Sequence, residues 1–106
     1  MKRGKTSFVA VTTTINVREK ARKMAMEIVQ TRLAACAQFA PIRSIYRWKG
    51  KVETAGEYVL TAKTRASLAE DLVKHIRERH CYELPEIVVT PITGGLDEYL
   101  KWIETE

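Results

Sequence analysis

The chain has no uninterrupted apolar run longer than the five residues Leu33 to Ala37, far short of the roughly 18 that a membrane-spanning helix needs. It has no CxxC pair. Its two cysteines, Cys36 and Cys81, stand forty-five positions apart, which excludes a small disulfide framework and favours a reducing compartment, the cytoplasm. Only two histidines are present, His75 and His80, and five residues at ~100° each put them about 140° apart around a helix axis. No nucleophile, base and orienter triad can be assembled from them. Five glycines and three prolines in 106 residues exclude a collagenous or low-complexity chain. Neither repeat nor linker interrupts it.

What is present is ordinary globular material, 45% hydrophobic and 29% charged, and the length is that of one domain spanning residues 1–106. A chain this long hides roughly 65% of its unfolded surface. Eighteen Lys and Arg against thirteen Asp and Glu leave a net charge of +5, which raises nucleic acid and anionic ligands as partners. The placement argues against a nucleic-acid stripe. Lys2, Arg3 and Lys5 form a terminal cluster, while Arg18, Lys20, Arg22 and Lys23 alternate with acidic and apolar residues, as on a solvated helix face. Lys2 to Lys5 before Phe8 to Val11 imitates a signal peptide, but the apolar run stops short of the ~7 residues of its hydrophobic region. No targeting segment is expected there.

Ser7 to Thr14 is β-branched and apolar, a buried strand. Val17, Ala21, Met24, Ala25, Ile28 and Val29 then recur in steps of three and four, one face of a helix, with Asn16 as N-cap and Glu19 completing a capping box. Leu33 to Trp48 has no helical period and contains Pro41, so it is a long strand in which Pro41 marks a bulge or an edge. Beyond Lys49 and Gly50 the chain returns in two strand pieces, Lys51 to Glu53 and Glu57 to Thr64. Ser67 opens a second helix with the box SLAE, with Leu68, Leu72 and Ile76 inward and an end near His80. EIVVTPI is a fourth strand, and Leu96, Tyr99, Leu100 and Ile103 line a last helix after Gly94 and Gly95. The order βαββαβ plus a C-terminal helix is the α+β, ferredoxin-like split βαβ arrangement with an antiparallel sheet. Helices on one face leave the other bare, which calls for an oligomer.

That fold decides no function by itself. RNA recognition would need aromatic residues in a Gly-rich pattern on the central strands, and EYVLTAKT has one tyrosine and no glycine. Thiolate metal carriage would need CxxC in the first strand-to-helix loop, which is TTTINV. His75 fits a partly exposed helical histidine. His80 and Cys81 are a soft pair suited to copper or zinc, against which stands helix capping or packing by His80. Cys36, within LAACA, fits a small buried residue. Tyr46, Trp48 and Tyr58 with Arg47, Lys49, Lys51 and Lys63 form either a platform for an anion or a subunit interface. Glu57 and Lys63 are either a cleft pair or a surface ion pair.

The words LAACAQ, SIYRWKGKVE, EYVLTAKT, HCYELPEI and YLKWIE, in this order and spacing, resemble the CutA divalent-cation-tolerance proteins from about Phe8 to Glu104. The resemblance implies a non-enzymatic homotrimer in which each long hairpin extends a neighbour's sheet. Carried over by motif, Cys36, Trp48, Glu57 and Lys63 would line an inter-subunit cleft, with Tyr82, Glu83, Pro85 and Glu86 near it. The family's usual assigned activity is binding of copper or another divalent cation, here a ligand not required for folding. Where family members can carry a cysteine and a histidine pair as ligands, this chain has Thr13, Arg79 and His80, so His80 is the one inherited ligand. Cys81 replaces a proline and offers a substitute thiolate. A trimeric signalling module holding a small anionic metabolite through Lys63 and Trp48 is the competing expectation, and a passive scaffold the third. Neither membrane nor nucleic acid is expected as a partner.

Overall fold

The computed structural model describes residues 7–106, so the cluster Lys2, Arg3 and Lys5 lies outside the described residues. Strand β1 (Phe8–Ile15) leads to helix α1 (Arg18–Gln30), then to the long strands β2 (Cys36–Trp48) and β3 (Lys51–Arg65). A single 3-10 turn (Ala66–Leu68) precedes helix α2 (Ala69–Arg79), and strand β4 (Ile87–Ile92) and helix α3 (Asp97–Thr105) complete the chain. The sheet order is β2-β3-β1-β4 with every neighbouring pair antiparallel, the expected ferredoxin-like topology. No helix of the described residues is long and apolar enough to cross a membrane.

The core lies between the sheet and the pair α1 and α2. Val9, Val11 and Ile15 of β1 point to the same side as Leu60 and Ala62 of β3, and Ala21, Met24, Ala25, Ile28, Leu72 and Ile76 close over them, alternation on the strands meeting a 3.6-residue stripe on the helices. The stripe is narrower than expected. Val17 precedes α1 in an extended conformation and Val29 is rotated past the contact line, so both are exposed. Helix α1 ends through a left-handed Arg32 (φ 62°), whose N–H donates to Val29 while that of Leu33 reaches Ile28. This is the paired closure of a Schellman cap, and it delays β2 from the expected Leu33 to Cys36.

Neither expected capping box forms. Val17, not Asn16, is the N-cap of α1, with no side-chain cap bond, and the Glu19 carboxylate instead accepts from Arg22 at 2.6 and 2.9 Å. Ser67 falls inside the 3-10 turn, where Ala66 N–H donates to Ser7 at 2.8 Å. That anchor to β1 holds the turn tight, and α2 starts only at Ala69.

Lys49 (φ 51°) and Gly50 (φ 81°) make the two-residue turn between β2 and β3, both in the left-handed region that matches the twist of a hairpin. The return strand is one piece rather than two, because Thr54, Ala55 and Gly56 pair in unbroken register with Ile45, Ser44 and Arg43. Pro41 causes no bulge: its register with Tyr58 is regular, and β2 is an edge strand, so the missing donor faces outward.

The helices do not all share one face. Leu100 and Ile103 of α3 pack on Phe8, Ala35 and Ile92, and Phe8 and Ile92 are register partners on the side opposite the main core. Leu96 and Tyr99, expected to face inward, are exposed. The rest of this second face stays open and is more polar than expected, with Thr12, Thr61 and Gln38 in register across three strands.

Candidate functional site

The segment 81–86 between α2 and β4 is held by polar contacts rather than by regular structure. His80 caps α2 in an extended conformation (φ −80°, ψ 145°), which swings its ring toward the end of β1. Its Nε2 lies 2.8 Å from the Thr14 carbonyl, and its Nδ1 accepts the Tyr82 backbone N–H at 3.1 Å. A ring nitrogen that accepts from an amide carries no hydrogen, so Nε2 is the protonated one and donates to Thr14. Both ring nitrogens of the neutral imidazole are engaged. The Tyr82 ring leans on that of His80, with centroids 4.8 Å apart, and its hydroxyl donates to Glu57 Oε2 at 2.6 Å. The series Thr14, His80, Tyr82 and Glu57 thus ties the loop to β1 and β3.

Burial pushes the Tyr82 phenol well above the ordinary tyrosine range, and the bond to Glu57 adds to the rise; the hydroxyl stays a neutral donor. His80 is lowered, first by burial and then by Arg77, while the Thr14 bond and Glu57 oppose. His75 is lowered by burial and Arg79 against Glu27 and Glu78; its side chain is only 10% exposed, more buried than expected. A group lowered on folding binds fewer protons folded than unfolded, so its stability contribution is complete above the unfolded value of about 6.5 and falls as pH drops through the folded values. Urea midpoints should therefore fall between about pH 7.5 and 5.5, and less steeply once both histidines are replaced by glutamine. The same slope in that double variant would assign the loss to other groups.

Beside this loop lies a cavity of about 830 Å³ whose walls come from the end of β1, the outer half of the hairpin and residues 82–86. Trp48, Glu57, Tyr82, Glu83, Pro85 and Glu86 all line it within one chain. Cys36 and Lys63 do not. They are register partners at the other end of the hairpin, twelve residues along β3 from Lys51, the partner of Trp48, or about 40 Å. Lys63 Nζ donates to Gln38 Oε1 at 2.9 Å and lies 5.9 Å from the Tyr99 ring centre. Glu57 and Lys63 therefore do not pair within one chain. Cys36 is half-buried on the open face, and Cys81 is exposed with Sγ 3.7 Å from Asn16 Oδ1.

Tyr46 and Arg47 also line the cavity. Alternation back from Trp48 signals Tyr46, which shares its strand face. Thr14 and Asn16 carried no such signal, because only the fold brings the end of β1 beside the hairpin. The balance of charge is acidic, three carboxylates (Glu57, Glu83 and Glu86) against the one guanidinium of Arg47, which disfavours an anion.

A metal ion resident in one chain does not fit these residues. The described residues contain no group of three or more His, Cys, Asp or Glu placed to hold one, and His80 has no free ring nitrogen.

The profile of the family described as "CutA1 divalent ion tolerance protein" matches residues 9–106. The chain belongs to this family. It is 45% identical over 97 residues to the chloroplastic protein CutA of Arabidopsis thaliana, covering 91% of this chain and 53% of that one. With the divalent-cation tolerance protein CutA of Pectobacterium atrosepticum it shares 38% over 84 residues, covering 78% and 76%. The chain spans about half the length of the plant relatives it matches. The crystal structure of CutA1 from Oryza sativa superposes with a TM-score of 0.89 at 38% identity, covering 96% of this chain and 95% of that one. CutA from Xylella fastidiosa gives 0.89 at 36%, covering 93% and 96%.

Proposed function

We propose that this CutA-family protein is a cytoplasmic, non-enzymatic homotrimer that acts in tolerance to divalent cations and binds copper or a similar ion at positions completed between subunits. Family membership across residues 9–106 carries the reading. Two features support assembly: β2 is a thirteen-residue open sheet edge, and an edge this long invites pairing with another chain; and the hairpin exposes Ile45 and Val52. A metal shared between copies is consistent with the described residues of one chain offering no complete ligand set. Two free cysteines fit a reducing compartment.

His80 is the inherited ligand, and it serves only if its ring releases Thr14 or Tyr82. Native mass spectrometry of the reduced protein, before and after copper, tests the whole reading. A mass of three chains is expected, gaining about one copper per chain that a weak chelator does not strip, with the gain reduced in His80→Ala. A monomer, or a trimer indifferent to copper, would overturn it, and an unchanged uptake by His80→Ala would remove that residue from the site.

A further inference from the structure

We propose that His75, Glu27 and Arg79 form a proton-driven exchange between α1 and α2, in which protonation of His75 draws the Glu27 carboxylate away from Arg79 and unhooks the last turn of α2 from α1. The exchange uses none of the residues that line the cavity, and it stands whether or not the protein binds copper. A buried atom without a partner carries the inference. His75 Nε2 has no hydrogen-bond partner among the described residues, and the side chain is only 10% exposed. A neutral ring tolerates that vacancy at a modest cost, whereas an imidazolium held out of water needs a counter-charge. One carboxylate is in reach. Glu27 Oε1 lies 4.0 Å from Nε2, too far for a hydrogen bond and about 1.2 Å beyond the length of a charge-assisted one. The same oxygen is 3.7 Å from Arg79 Nε, so the two cations compete for one acceptor. Glu27 is partly exposed at the rim of the seam and can turn between them without disturbing the core.

Few charged groups surround the ring. Strands β1 and β4 and the 3-10 turn, which also pack against α2, carry no titratable side chain. On α1, Lys23 stands one turn before Glu27 and is exposed; on α2, Asp71 stands one turn before His75 and is exposed, and Glu78 lies 3.7 Å from Arg79 Nη1. Burial and then Arg79 oppose the proton on His75, while Glu27 and Glu78 favour it. The net direction is downward, so the exchange falls on the acid side of the ordinary histidine value of about 6.5. Above it Arg79 keeps Glu27. Arg79 Nη1 also donates to the His75 carbonyl at 3.3 Å, a bond to one of the last carbonyls of the helix, so this single side chain joins the end of α2 to α1. Once Glu27 has turned to the ring, Arg79 keeps only that carbonyl and Glu78, and the last turn loses its charged tether.

Nuclear magnetic resonance titration of the reduced, assembled protein from about pH 8 to about pH 5, a lower limit above the ordinary glutamate range, tests this. With two histidines in the chain, His75→Gln assigns the ring signals. The His75 ring, the Glu27 carboxyl carbon and the Arg79 Nε–H are expected to shift with one common midpoint. In Glu27→Gln the Arg79 step should be lost and His75 should titrate at lower pH; in Arg79→Gln the His75 midpoint should rise toward its ordinary value. Separate midpoints for His75 and Arg79, or a His75 midpoint unmoved by Glu27→Gln, would overturn the proposal, because a histidine that is merely buried titrates without either change. So would unfolding before the ring takes up its proton, read by circular dichroism at each pH.

Discussion

Replacing Leu60 with alanine is expected to lower the free energy of unfolding by about 2–5 kcal/mol, the largest loss for any single site considered. Leu60 is fully buried at the centre of β3, in register with Thr13 of β1 and Phe39 of β2. Its side chain meets the core that α1 and α2 close. The loss combines transfer of the removed methyl groups with the cavity left behind, because a sheet held by two neighbours cannot collapse onto the gap. Urea titration at one fixed protein concentration measures it, since assembly would add a concentration-dependent contribution. The exposed Lys23→Ala on α1 should stay within about 0.5 kcal/mol. A loss below ~1 kcal/mol at Leu60 would mean that the core is not centred where the structure puts it.

His80→Ala is expected to be the second largest, at about 1–3 kcal/mol. The substitution strips a donor from the Thr14 carbonyl and an acceptor from the Tyr82 N–H, two groups only partly able to recover water. Its effect should also travel. With the loop released, Tyr82 becomes better hydrated and its bond to Glu57 weakens, so the phenol should titrate closer to its ordinary value of about 10. Ultraviolet titration reads that shift directly. Stability lost without any change at Tyr82 would confine His80 to a local role, and neither change would show that the clasp does not hold the loop.

The element order was legible because the signals that set it are local. The α1 stripe at Ala21, Met24, Ala25 and Ile28 and the hairpin turn at Lys49 and Gly50 follow from backbone geometry alone. The caps were not legible, because Asn16 and Ser67 compete with tertiary bonds: a backbone bond from Ala66 to Ser7 decides where α2 can begin. The site was legible in half. Trp48, Glu57, Tyr82, Glu83 and Glu86 do share a cavity, whereas Cys36 and Lys63, implied by the same motif words, lie at the far end of the same hairpin. Motif words report which residues recur together in a family; they do not report distance within one subunit.

By itself the sequence determined the class of fold, the central core stripes of α1 and α2 and the family. Each follows from a spacing that repeats over a few residues, or from an ordered set of words. Only the tertiary structure decided that α3 packs on one end of the second face, that Pro41 sits on an edge strand, that His80 bonds a carbonyl sixty-six residues earlier in the chain, and that the cavity is acidic. Those facts depend on which distant segments meet, and loop side chains such as His80, Tyr82 and Glu83 have no period from which such a meeting can be read.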